Sequence, residues 1–253
     1  MAILDGQHAL VTGGGRGIGR AIAKSLSGAG ATVTVLGRQE AALADTVSAG
    51  DAKGYVVADV TDEAAVIAAV QQAVSARGPI DILIANAGSG VSVPFMKGTS
   101  AQFREMFELN VMGVVHATRA VLGDMMKRGA GRIVVNSSVA GLKGYAYVTA
   151  YCAAKHAAVG FVRALAQETV KSGVTVNAVC PGYTDTDLVQ SGITHVTEKT
   201  GRSQDAALAD MLKDKPIGRL ITPEEVAAAM LFLCSPGASA ITGTTLTVAG
   251  GEI

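Results

Sequence analysis

Short apolar, β-branched runs alternate along this chain with longer segments in which apolar residues recur every three or four positions. Ala9-Leu10-Val11, Thr32-Val33-Thr34-Val35-Leu36 and Gly54-Tyr55-Val56-Val57 read as strands. Asp81-Ile82-Leu83-Ile84-Ala85, Arg132-Ile133-Val134-Val135-Asn136, Thr175-Val176-Asn177-Ala178-Val179 and Thr245-Leu246-Thr247-Val248 continue the series. Helices are predicted between them: Arg20 to Leu26, about Glu40 to Ala49, and a segment with Val66, Ala69, Val70 and Val74 on one face that stops at Gly78-Pro79. Two long helices follow, roughly Ser100 to Lys127 and Ala150 to Lys171, and a shorter one opens at Pro223 and runs through Leu233. The section from Tyr183 to Lys215 is polar and weakly patterned.

Apolar strands alternating with amphipathic helices imply a parallel sheet of about seven strands, covered by helices on both faces. The expected fold is α/β, a Rossmann-type doubly wound sheet, with residues 1–253 as a single domain, a size such sheets reach without splitting. In such a sheet, ligands bind outside the carboxyl ends of the strands. Those ends carry Gly13 to Gly19, Gly37-Arg38, Asp59-Val60, Asn86-Ala87-Gly88, Ser137-Ser138 and Pro181-Gly182.

Composition narrows the partners. Lys+Arg and Asp+Glu both total 21, so no global field recruits nucleic acid or an anionic membrane. No apolar run approaches a membrane span, and the start lacks the pattern of a secretory signal. Three cysteines, Cys152, Cys180 and Cys234, are far apart, which predicts free thiols in a reducing cytoplasm. Four scattered histidines show no metal-ligand spacing, so no metal is expected.

The stretch Leu10-Val11-Thr12-Gly13-Gly14-Gly15-Arg16-Gly17-Ile18-Gly19 joins a strand to a helix through a glycine turn. Glycines let the backbone approach a ligand, and the helix N-terminus turns unpaired N–H groups toward an anion. The spacing Gly13-x3-Gly17-x-Gly19 is neither the common G-x-G-x-x-G nor a P-loop. A second constellation is Tyr151 and Lys155, one turn apart on one helix face. An ammonium close to a phenol lowers the tyrosine pKa toward working pH and suits it to general acid/base chemistry. Ser138 ends the preceding strand and can reach the same crevice, and Asn110 sits inside a long helix where it has no obvious capping role.

Together, Thr12-Gly13-x3-Gly17-Ile18-Gly19, Asn86-Ala87-Gly88, Asn110, Ser138, Tyr151-x3-Lys155 and Pro181-Gly182 resemble the classical short-chain dehydrogenase/reductase family in order and approximate spacing, over nearly all of the chain. The resemblance implies that Tyr151 exchanges a proton with the substrate oxygen and that Ser138 hydrogen-bonds it. Lys155 would lower the Tyr151 pKa and hold the nicotinamide ribose, and Asn110 would position a relay water. It also implies that Asp59 and Val60 lie against adenine, and Asn86, Ala87 and Gly88 beside the adenosine ribose. Pro181, Gly182, Thr184 and Thr186 would fall on the nicotinamide side, with Tyr151 and Lys155 also touching the cofactor. Two departures stand out: Ala85 where the family usually has a second Asn, and Ala249-Gly250-Gly251 where Asp-Gly-Gly is frequent.

Cofactor choice turns on the end of the second strand. A carboxylate there would favour NAD; this chain has Gly37-Arg38, with Arg16 in the glycine turn. Two guanidiniums suit a 2′-phosphate, so NADP(H) is favoured and NAD(H) remains possible. Within the family the chain looks most like the 3-oxoacyl-thioester and polyketide ketoreductase branch, by Ala153 to Phe161, Val176 to Gly182 and Pro216-Ile217-Gly218-Arg219. The leading expectation is reduction of 3-oxoacyl thioesters. A dehydrogenase or reductase of small alcohols, ketones or 3-hydroxyacids is the alternative, and a non-catalytic dinucleotide sensor a remote one. Residues 183–215 are expected to form a lid, with Leu188, Val189, Ile193, Val196, Leu208 and Met211 as its apolar residues, while 89–95 and 142–147 line the rest of the pocket. The resemblance also implies a homotetramer or homodimer packed through the two long helices.

Overall fold

The computed structural model describes residues 2–253, apart from the side chains of residues 188, 195, 196, 199 and 200. The predicted strands form as β1 (His8–Thr12), β2 (Thr32–Gly37), β3 (Gly54–Val57), β4 (Ile82–Ala85), β5 (Gly131–Asn136), β6 (Val174–Pro181) and β7 (Thr245–Val248). They make one seven-stranded sheet in the order β3-β2-β1-β4-β5-β6-β7. Every pair is parallel. All carboxyl ends therefore share one edge.

Period-two alternation divides each strand between two cores. Leu10, Leu83, Ile133, Val135, Val176 and Ala178 point to one face. There they meet α3 (Glu63–Arg77), α5 (Gly113–Arg128) and α6 (Thr149–Thr169). Ala9, Val11, Ile82, Ile84, Val134 and Val179 point to the other, covered by α1 (Gly17–Gly28), α2 (Glu40–Ser48) and α9 (Pro223–Cys234). Burial on both faces explains why the strands read as nearly continuous apolar runs. The chain leaves β1 toward β2 and β3, then returns to place β4 on the other side of β1. This reversal opens a crevice at the carboxyl ends of β1 and β4, where an open α/β sheet takes its ligands.

The expected single helix over 100–127 is interrupted. α4 (Ser100–Phe107) and α5 are joined by one wide π turn, Glu108–Met112, with the buried Asn110 inside it. The Asn110 side-chain amide donates to Met106 O, one turn back, and to Ser89 O, each at 3.0 Å. Apolar periodicity runs through the turn unchanged, so the pattern alone does not reveal it. Wide turns of this kind recur where a helix re-aims a side chain at a site.

The weakly patterned 183–215 section contains two helices, α7 (Asp187–Thr200) and α8 (Gln204–Leu212). Among the described residues of this section, Ile193 and Ala207 are the buried apolar ones in the two helices. Val189, Leu208 and Met211 are each partly buried, while the side chains of Leu188 and Val196 lie outside the described residues. Among the described residues, no helix is long and apolar enough to cross a membrane.

Candidate active site

The glycine turn after β1 is held against β4 by Thr12. Its hydroxyl oxygen accepts the backbone N–H groups of Asn86 and Ala87, each at 3.0 Å. The Asn86 side-chain amide returns a bond to Thr12 O at 2.9 Å. Gly13 has φ +68° and Gly17 φ +51°, both in the left-handed region. Gly19 is required for a different reason, because a Cβ there would overlap Gly13 O and the Asn86 side-chain nitrogen. Ile18 packs toward the β1 core. The Thr12 hydroxyl and the Asn86 amide therefore hold the turn, α1 and the β4 end together, with bare glycine backbone at the close approaches. This fits a dinucleotide pyrophosphate, whose approach needs bare backbone and a helix N-terminus.

Gly19→Ala tests the cradle. Alanine is the better helix former by about 1 kcal/mol, so without the overlap the substitution would stabilise α1. The expected result is a net loss of about 1–3 kcal/mol from overpacking, with weaker dinucleotide binding, read by thermal unfolding and cofactor titration. A Gly19→Ala protein that is both more stable and binds normally would remove the close-approach argument.

On the other side of the crevice, β5 ends at Asn136-Ser137-Ser138. Ser138 caps the short helical turn Val139–Gly141, its Oγ accepting Ala140 N–H at 3.1 Å, which leaves the hydroxyl proton free to donate. α6 begins at Thr149, so Tyr151 and Lys155 rise from its first turns on one face. Lys155 is buried, and its Nζ donates to Asn136 O at 2.9 Å. The same Nζ lies over the Tyr151 ring, 5.6 Å from its centroid. A Cβ on Gly88 would stand 2.7 Å from Asn110 Oδ1 and 3.4 Å from Lys155 Nζ. The missing side chain thus brings Asn110, Gly88 and Lys155 to one point. Asn110 Oδ1 is buried with no partner among the described residues, an acceptor turned toward the Lys155 side of the site.

One expectation is corrected here. The net shift of the Tyr151 phenol is upward, not toward working pH. Burial dominates and pushes the phenol up to about 12, against the hydrogen bond with Ser138, which favours the phenolate. Burial likewise lowers Lys155 to about 8. The ammonium lies over the Tyr151 ring and donates to Asn136 O. The Tyr151 phenol is therefore un-ionised at neutral pH.

The remaining candidates fall around this edge. Arg38 pairs with Asp59 at 3.4 Å, and Asp59 also accepts the Thr61 N–H and hydroxyl. Arg16 reaches Asp187 at 3.6 Å, linking the glycine turn to α7. Both arginines are about 70% exposed, so donors on each remain accessible. Val60 is buried, and its carbonyl is bonded to the His116 ring. Thr186 faces Gly17: a Cβ on that glycine would sit 3.5 Å from the Thr186 methyl. Thr184 is buried, and its hydroxyl donates to Gly182 O at 3.1 Å in the turn after Pro181.

Sequence reasoning missed Asn136. Its side-chain amide donates to Asn86 Oδ1 at 2.8 Å while its carbonyl holds Lys155. It thereby ties the cradle to the Tyr151 side of the site. A polar residue ending an otherwise apolar buried strand was the available signal. Among the described residues, no cluster of His, Cys, Asp or Glu suits a metal ion.

A sequence model described as short chain dehydrogenase matches residues 7–196. A 3-oxoacyl-[acyl-carrier-protein] reductase of Vibrio harveyi is 39% identical, covering 98% of each chain. An acetoacetyl-CoA reductase of Rhizobium meliloti is also 39% identical, covering 96% of this chain and 97% of its own. Among solved structures, a variant of actinorhodin polyketide ketoreductase with NADPH superposes with a TM-score of 0.94 at 37% identity, covering 100% of this chain and 99% of that one. The chain belongs to the short-chain dehydrogenase family and is an oxidoreductase.

Proposed function

We propose that this protein reduces a 3-oxoacyl thioester to the 3-hydroxyacyl thioester with NADPH, as one catalytic domain whose 183–215 segment is the substrate lid. The observation that carries the reading is the convergence of Ser138, Tyr151 and Lys155 beside the glycine cradle. The names of the relatives supply the substrate class and the NADPH. Exposed Arg16 and Arg38 support a 2′-phosphate at the adenosine end, with NAD(H) the lesser possibility. Apolar Val91 and Phe103 pack near Tyr151, and Phe95 and Met96 are exposed beside them, which suits an acyl chain.

The bound nicotinamide supplies the hydride to the carbonyl carbon. The chain's residues handle the oxygen. Ser138 donates a hydrogen bond to it and stabilises the charge that develops there. Tyr151 Oη gives its proton to the same oxygen, and its high pKa keeps that proton in place until the oxygen becomes basic. Lys155 holds the ribose hydroxyls and steadies the phenolate left behind, and the Asn110 acceptor holds a water through which the phenolate regains a proton. Asp59, Val60 and the Asn86-Ala87-Gly88 turn border the adenosine, while Pro181, Gly182 and Thr186 border the nicotinamide.

Three buried free cysteines fit a reducing cytoplasm. Phe107 and Met126, exposed on the 100–128 run, support a two-fold assembly through the long helices, as homodimer or homotetramer. The deciding measurement is initial-rate oxidation of NADPH and NADH, each against acetoacetyl-CoA and a simple ketone. Fast turnover with NADPH and the thioester is expected. A preference for NADH would overturn the arginine argument, and turnover with the ketone alone would move the enzyme to small carbonyl substrates.

A further inference from the structure

One buried carboxylate takes no part in the chemistry described above. Glu252, next to the last residue, has a side chain only 2% exposed. It reaches this position because Gly250 and Gly251 take left-handed conformations, φ +57° and +85°, which fold the C-terminal tail back against Pro216 and Ile217. The carboxylate accepts hydrogen bonds from the Tyr145 hydroxyl and from Lys215 Nζ, and a further ion pair comes from Lys143 at 3.4 Å. Lys143 Nζ also donates to the Glu252 backbone carbonyl at 2.9 Å. Lys215 Nζ lies between two rings, 5.1 Å from the Tyr145 centroid and 5.0 Å from that of Tyr183.

These partners come from two separate sides of the site. Lys143 and Tyr145 belong to the loop between Ser138 and Tyr151, whose far end is pinned by Val93 N–H donating to Tyr147 O at 2.7 Å. Tyr183 and Lys215 are the two ends of the 183–215 segment. A buried charge is retained at a cost in desolvation unless its bonds are fully used, and here each bond joins one of those two sides to the tail.

We propose that Glu252 is a positioning residue that fastens the 143–145 loop to the Lys215 end of the 183–215 segment, and through the Lys215 ammonium to the Tyr183 ring at its other end, and so sets the width of the substrate mouth. The kinetic part rests on the reductase reading above; the structural part does not. Burial alone would raise the Glu252 pKa, but the bonds from Lys215 and Tyr145 lower it, so the carboxylate is ionised and the junction is intact at neutral pH. The partner rings and cations face it from all three elements packed there, with no further carboxylate among the described contacts.

The test compares the wild type with Glu252→Gln and with the double variant Glu252→Gln/Lys215→Met. The double variant leaves no unpaired Lys215 charge behind, so any general destabilisation of the single variant is relieved in it. In hydrogen exchange, both variants are expected to speed the amides of 142–147 and those of 183–186 and 216–221 together by about tenfold, with β1, β4 and β5 unchanged. In kinetics, KM for acetoacetyl-CoA is expected to rise about tenfold while kcat and NADPH affinity stay within about twofold, a tenfold change being 1.4 kcal/mol. Exchange that rises in only one of the two segments, or that returns to the wild-type rate in the double variant, would overturn the junction. Normal KM with raised exchange would overturn its role in the mouth. If the wild type does not turn over the thioester at all, the reductase reading fails while the exchange result still decides the junction.

Discussion

Tyr151→Phe is expected to lower kcat for reduction by about 10²–10⁴-fold, the range for losing a positioned general acid. The ring packs against Met106, Ala150 and Ala154 and against Gly90, where a Cβ would come within 3.2 Å of it. Phenylalanine keeps all of this and loses the hydroxyl and its bond with Ser138. The stability change is therefore expected to stay near the roughly 1 kcal/mol of a single hydrogen bond, and NADPH binding to be unaltered. Single-turnover kinetics and cofactor titration on the same preparation separate the two effects. Because burial holds the wild-type phenol near 12, the acid stays protonated throughout the neutral range, and the reduction rate should show no loss there from its ionisation. A Tyr151→Phe enzyme within tenfold of wild type would take Tyr151 out of the proton transfer.

Lys155→Met is the second large effect, and it moves activity and stability in opposite directions. Turnover should fall by about 10²-fold or more, since no cation remains to support the phenolate. Stability at neutral pH should rise. Burial lowers Lys155 from 10.5 to about 8, and at 1.36 kcal/mol per pKa unit the folded state carries a penalty of about 3 kcal/mol for the ammonium. Losing the bond to Asn136 O returns about 1 kcal/mol, so the net gain is about 2 kcal/mol. The sign of the pH dependence follows from the lowered pKa. Below about 8 the lysine is protonated in both states and the folded protein bears the whole penalty. Between about 8 and 10.5 the folded state gives up its proton first, so this group contributes increasing stability as pH rises. Denaturant unfolding of wild type and variant across that window measures the difference, with other groups cancelling. A variant less stable than wild type at neutral pH would show that the ammonium is paired well enough to carry no penalty.

The two substitutions together describe a site kept ready at the expense of stability. A phenol that resists ionisation and a desolvated ammonium both depart from the behaviour of surface residues, and both are produced here by packing α6 against β6 and the Val139–Gly141 turn. Glu252 illustrates the same tendency at the mouth, where a buried carboxylate is held by bonds from several elements.

The alternation of apolar runs and amphipathic segments by itself determined the parallel sheet, its two-faced core and the shared edge of the strand ends, because side-chain periodicity is a local property of the chain. The spacing of Gly13, Gly17 and Gly19, and of Tyr151 and Lys155, likewise placed the cradle and the acid on the first turns of two helices. What only the tertiary structure decided depends on neighbours distant in sequence. The π turn at Asn110 keeps the apolar rhythm and shows itself only where Asn110 meets Ser89 and Gly88. The direction of the Tyr151 shift reversed because desolvation comes from the whole surrounding protein, whereas the lysine four residues on is the one influence a sequence displays. Asn136 and Glu252 stayed silent for the same reason. Their partners lie 50 residues away for Asn136 with Asn86 and 107 residues away for Glu252 with Tyr145, and such pairings arise only when the sheet order brings the strand ends, the loop and the C-terminal tail to one edge.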